Sequence, residues 1–282
     1  MEAENQVKNA KLMQTTLAQT LLHQDAVEWA MNPNLPVTLG WIGFTREKLR
    51  QSPKPDRRFM RFGLTHLAAR AAVYQLFRTE GFPNLHAPHD LHWQNDALGK
   101  PSIAFQGDVE AWAMEHGYED QYLHISNTND GDAHIVLAAY GQEFAGIGVD
   151  VVHLPRLRQK GKGRDYLRRF ARQFMSEVEW EAFLAGSEND DEEALRVRVA
   201  AHFSLMEAAS KACGTGLKMG IGMGASYGLP KGDLGALRLR YAVEMLFGPA
   251  AKARLSEIGA TQWEGFWGAD DEYLVSGVVL KK

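Results

Sequence analysis

Asp130-Gly131-Asp132-Ala133-His134-Ile135-Val136-Leu137 is a polar turn running into an apolar strand, and Ala269-Asp270-Asp271-Glu272-Tyr273-Leu274-Val275 repeats that pattern near the other end of the chain. A long helix is expected upstream of each. In the first, over Arg58 to Thr79, Leu64, Leu67, Ala68, Ala71 and Tyr74 recur at helical spacing. The second runs from Leu195 to Cys213 and is closed by Gly214 and Gly216, as glycine closes helices. One helix followed by strands, used twice, predicts an α+β fold with a duplicated α/β half and pseudo-two-fold symmetry. Each half is a small, mostly antiparallel sheet packed on a long helix. The expected halves are residues 1–143 and 144–282, with the junction near Tyr140 to Gly146.

Strands are expected at Val37 to Phe44, Leu91 to Trp93 and Pro101 to Phe105, the last two around the turn from Asn95 to Lys100. Tyr122 to Ser126 and His134 to Tyr140 read as a hairpin across Asn127 to Asp132. Ala145 to Val152, Leu237 to Phe247 and a final pair within Thr261 to Leu280 read as further strands. Tyr166 to Ala185 reads as one helix with a basic start, between a basic loop at Leu154 to Gly163 and an acidic surface loop at Ser187 to Glu193. Ala250 to Ile258 is a short helix or turn. At the other end, Met1 to Val27 reads as an amphipathic helix, Asn32 to Pro36 as a turn, and Thr45 to Arg58 as a loop or helix start.

The chain has 282 residues, 45% hydrophobic and 23% charged, with a net charge of −4. That balance suits a soluble core-forming protein and gives no global basic character for nucleic acid or a membrane surface. Cys213 stands alone, so there is no internal disulfide and no Cys/His metal spacing. Without a signal-like apolar run or a membrane-length one, the expected location is the cytoplasm.

Three features carry chemistry. Gly146-Ile147-Gly148-Val149-Asp150-Val151-Val152 puts a carboxylate inside an apolar strand beside two glycines. A buried Asp needs a cation or hydrogen-bond partner, and the glycines permit close approach of a ligand or of neighbouring backbone. Phe203-Ser204-Leu205-Met206-Glu207-Ala208-Ala209-Ser210-Lys211-Ala212-Cys213-Gly214-Thr215-Gly216 sets Glu207 and Lys211 four apart on one helix face. Glu207 and Asp150 together would offer two hard oxygen ligands for Mg²⁺, with Lys211 to neutralise phosphate charge. Third come the basic residues: Arg57, Arg58, Arg61, Arg70 and Lys100, and the eight Lys/Arg between Arg156 and Arg172, in a chain that is net acidic. Taken singly, these features also read as a strand bulge, a helix ion pair and a solvated basic face.

The two motifs in this order resemble the phosphopantetheinyl transferase superfamily. Its pattern is a Gly-x-Asp strand, then an aromatic-x-x-Lys-Glu-Ala-x-x-Lys-Ala helix ending in Gly-x-Gly. Gly99-Lys100-Pro101 and Ile125-Ser126-Asn127-Thr128, read as a turn, are similar to its Gly-Lys-Pro and Ser-His-Ser segments, and Ala69-Arg70 to its Ala-Arg helix. The likeness covers about Arg57 to the C-terminus. Length and duplicated halves are similar to the monomeric surfactin-type enzymes. The sequence around Gly146 to Val152, and Phe170-Ala171-Arg172 before Ser176-Glu177-Val178-Glu179, is closer to holo-acyl-carrier-protein synthases.

The resemblance implies transfer of 4′-phosphopantetheine from coenzyme A to a serine of an acyl carrier protein or carrier domain of fatty-acid or polyketide type, releasing 3′,5′-ADP. Asp150 and Glu207 would hold Mg²⁺, Glu207 would be the base and Lys211 would stabilise phosphate charge. Arg58, Arg61, Arg70, Lys100, Ser126, Asn127 and Thr128 would bind CoA, the first half taking its 3′-phosphate. Arg156, Arg158, Arg168 and Arg172 would meet the carrier, and the protein would be a monomer. The chain departs from the family at Met206 (usually Lys), Asn127 (usually His) and Val152 (a second acid in surfactin-type enzymes). These departures leave open a weakened member that binds a carrier or CoA as a scaffold or regulator.

Overall fold

The computed structural model describes residues 37–43, 57–83, 90–95, 100–131, 133–158, 163–215, 234–238 and 243–282. The expected helix from Met1 to Val27, the turn at Asn32 to Pro36 and residues 45–56 lie outside them. The chain forms two compact units that divide between Phe144 and Ala145.

Among the described residues the first unit runs β1 (Val37–Gly43), α1 (Arg57–Phe77), the hairpin β2 (Leu91–Asn95) and β3 (Pro101–Phe105), α2 (Gly107–His116), β4 (Leu123–Asp130) and β5 (Ala133–Tyr140). Its three-stranded sheet has the order β1-β5-β4, and both pairings are antiparallel. The core joins Ala68, Ala72, Val73 and Phe77 of α1 to Ile125, Val136 and Ala138 of the sheet. Phe77 sits at its centre, ringed by Phe82, Phe105, Trp112, Tyr118 and Tyr140.

The second unit follows the same order. It runs β6 (Phe144–His153), α3 (Arg164–Phe174), α4 (Glu177–Gly186), α5 (Glu192–Ala212), the hairpin β7 (Leu234–Arg238) and β8 (Val243–Phe247), α6 (Pro249–Glu257), β9 (Gln262–Ala269) and β10 (Tyr273–Lys281). Its sheet is ordered β6-β10-β9, the counterpart of β1-β5-β4, and α5 matches α1 at 21 residues. Among the described residues, α3 and α4, between β6 and α5, have no counterpart in the first unit. The α+β class with small antiparallel sheets stands.

Four local expectations are corrected. Gly107–His116 is a helix not foreseen: Val109, Trp112 and Ala113 bury one short face, and Gly117 at φ +73° ends it. The expected long turn at Asn127 to Asp132 is strand through Asp130, paired to Ala133. The single helix over Tyr166 to Ala185 is two, because Ser176 caps a new helix. Its Oγ accepts from Glu179 N at 3.2 Å, and the Glu179 carboxylate accepts from Ser176 N at 3.0 Å. This reciprocal pairing satisfies amides that a continuous helix would not leave free. The strand expected over Leu237 to Phe247 is the antiparallel hairpin of β7 and β8.

Candidate active site

The site is set by how closely α5 lies on β6. A Cβ built on Gly146 would fall inside the carbonyl oxygen of Ala212, and one on Gly148 inside that of Ala208. Backbone therefore meets backbone, which only glycine allows on the strand. Asp191 starts α5, accepting from Ala194 N at 2.7 Å, with Glu192 and Glu193 in the first turn to complement the helix dipole. At the other end Gly214 takes φ +67°, and Arg254 Nε donates to the Cys213 carbonyl at 2.8 Å.

Asp150 follows Gly146 and Gly148 on the same strand face, so its carboxylate points at α5. It is buried, and Lys211 meets it: Lys211 Nζ donates to Asp150 Oδ1 and to the Val149 carbonyl, both at 2.9 Å. Helical side chains lean toward the N-terminus of their helix, which lets Lys211 reach back to Asp150. Glu207, one turn before Lys211, is the second carboxylate. Burial pushes its carboxyl above the usual range, the nearby Asp150 charge pushes it further, and Lys211 pulls it back down.

A divalent cation fits this donor set. The Asp150 charge raises the cost of ionising Glu207, and a hard cation would relieve that cost while accepting both carboxylates as ligands. Among the described residues no group of three or more His, Cys, Asp or Glu could hold a metal. Two carboxylates supplemented by water and phosphate oxygens is the usual pattern for Mg²⁺.

The other expected residues are placed as follows. Arg58 and Arg61 lie on α1, their side chains outside the described residues. Arg70 on α1 is half-buried; burial draws its guanidinium below the ordinary value and Asp90 opposes this. Lys100 precedes β3 and is half-buried. Ser126 and Thr128 are buried on one face of β4, and Asn127 points from the opposite face, so the three do not form one row. Arg156 is exposed beside β6. Arg158 pairs with Glu193 at 3.1 Å, and Arg172 of α3 pairs with Glu177 and lies over the Trp180 ring. Arg168 is half-buried on α3. Met206 and Val152 are both in the apolar core around α3 and α5. Two fully buried serines, Ser204 and Ser276, went unnoticed in the sequence.

Residues 146–241 match the family model described as 4′-phosphopantetheinyl transferase superfamily. A holo-[acyl-carrier-protein] synthase of Photorhabdus laumondii is 30% identical over 137 residues, 49% of this chain and 97% of the relative. One from Lachnoclostridium phytofermentans is 34% identical over 71 residues, 25% of this chain and 57% of the relative. The crystal structure of a holo-[acyl-carrier-protein] synthase from Neisseria meningitidis is similar at a TM-score of 0.36 and 25% identity, covering 49% of this chain and 99% of that one.

Proposed function

This chain belongs to the 4′-phosphopantetheinyl transferase superfamily and is thereby a transferase, and on that premise we propose that it moves 4′-phosphopantetheine from coenzyme A to a serine of an acyl carrier protein. The observation that carries the reading is that Glu207 and Lys211 of α5 meet Asp150 of β6.

Asp150 and Glu207 would hold Mg²⁺, whose charge would neutralise the CoA pyrophosphate. Glu207 accepts the proton of the carrier serine hydroxyl. Metal coordination would hold Glu207 ionised, and proximity to the hydroxyl supplies much of the rest. The serine oxygen forms a bond to the phosphorus that bears the pantetheine arm, and the bond from that phosphorus to 3′,5′-ADP breaks. Lys211 keeps Asp150 oriented and supplies positive charge beside the phosphates. In the first unit, Arg58, Arg61, Arg70, Lys100, Ser126, Asn127 and Thr128 belong to the same reading as CoA-binding residues. Arg156, Arg158, Arg168 and Arg172 form the carrier-facing group, acting through steering of an acidic partner. A cytoplasmic monomer is part of the reading; among the described residues no helix is long and apolar enough to cross a membrane.

The test is mass spectrometry of apo acyl carrier protein incubated with the protein, CoA and Mg²⁺. The expected result is a gain of one phosphopantetheine mass, lost on adding EDTA. If no carrier of fatty-acid, polyketide or peptide-synthetase type gains mass while CoA still raises the unfolding temperature, the chain binds without transferring.

A further inference from the structure

Asp150 has neighbours that its motif does not account for. Leu154 N donates to the Glu272 carbonyl at 2.7 Å, and the rings of His153 and Tyr273 lie 5.1 Å apart. These contacts fix β6 beside β10 with His153 next to Tyr273. Counting three residues inward along each antiparallel strand sets Asp150 beside Ser276, and further counting sets Gly148 beside Val278 and Gly146 beside Leu280. The helix agrees with this register. Ala212 lies over Gly146 and Ala208 over Gly148, so Ser204, one turn earlier, lies over Asp150.

The core beneath α5 divides at this row. Val152 and Leu274 pack with Leu195, Val199 and Ala201 on one side, and Val278 and Leu280 pack with Ala208 and Ala212 on the other. Between them run Asp150, Ser276 and Ser204, all buried. Both serines are fully enclosed, and among the described residues neither hydroxyl has a hydrogen-bond partner. Enclosed hydroxyls are almost always bonded. The acidic group of this row is Asp150, whose Oδ1 receives Lys211, and a carboxylate takes several donors at once.

We propose that Ser204 and Ser276 are positioning residues for Asp150, their hydroxyls donating to one enclosed water that in turn donates to the Asp150 carboxylate. Such a water makes three hydrogen bonds, the usual number for one inside a protein. Lys211 and the serine pair would then grip the carboxylate from two sides and hold its aim toward Mg²⁺. Outer contacts of this kind fix the direction of a metal-binding side chain.

The inference rests on Asp150 as a metal ligand, so its test reads metal binding as well as turnover. Mg²⁺ binding is measured by titration calorimetry on CoA-saturated protein for the wild type, Ser276→Val, Ser276→Thr and Ser204→Ala. Ser276→Val and Ser204→Ala are expected to weaken Mg²⁺ binding by about tenfold with no fall in unfolding temperature, and Ser276→Thr to stay near wild type. Should Ser276→Val not fold, Ser204→Ala carries the same comparison. Wild-type affinity in Ser204→Ala and in every folded Ser276 variant would overturn the serine assignment alone. Absence of Mg²⁺ binding by the wild type would instead overturn the metal reading on which it rests.

Discussion

Lys211 holds two acceptors at once, the Val149 carbonyl and Asp150 Oδ1, and so ties backbone and side chain of β6 to a single ammonium. Glu207 beside it is pulled both ways: burial and Asp150 favour its protonated form, Lys211 its ionised form. At this scale Asp150→Ala and Glu207→Ala are each expected to cut carrier phosphopantetheinylation by about 100-fold or more, above the loss usual for outer-shell contacts. The unfolding temperature of Glu207→Ala, read by calorimetry, should stay close to wild type, since the change removes an acidic group whose charge burial disfavours. Near-normal Mg²⁺-dependent transfer by either variant would refute the metal assignment.

Among the elements, α5 and β6 act as one. Gly148→Ala puts a methyl group where the Ala208 carbonyl already is, and neither backbone can yield without moving the other. Urea unfolding should register a loss of about 3 kcal/mol, with transfer lost alongside because Lys211 and Glu207 ride on the displaced helix. An unchanged midpoint would mean that α5 stands off the strand. Asp150, Glu207 and Lys211 were legible because their spacing is itself the motif. Ser204 and Ser276 were not, because a serine in an apolar run acquires meaning only once strand register and helix height put it beside a carboxylate. The break at Met175 could have been read from Ser176 and Glu179, which spell a capping box, but the aromatic period through Phe170 and Phe174 masks it. α2 buries only three residues, too few for periodicity to announce.

At the scale of the molecule, the same order of elements occurs twice among the described residues, and the pair of Asp150 and Glu207 once. β1 and α1, the counterparts of β6 and α5, contain no Asp or Glu, so a single Mg²⁺ per chain is expected in equilibrium dialysis; a stoichiometry of two would place a second site in the first unit. The eight Lys/Arg between Arg156 and Arg172 in a chain of net charge −4 predict that kcat/KM for the carrier falls by about tenfold or more between low salt and ~0.5 M, while kcat holds. A salt-independent kcat/KM would remove those arginines from the encounter. The glycine seam under α5 has a consequence in time as well as in space. A helix seated on side chains can tilt and let amides open a few at a time, but one seated on bare backbone must lift off whole. The amide hydrogens of β6 and α5 should then exchange with deuterium together, at one rate, through one shared opening. The polar row around Asp150 would accordingly meet solvent only when both elements part.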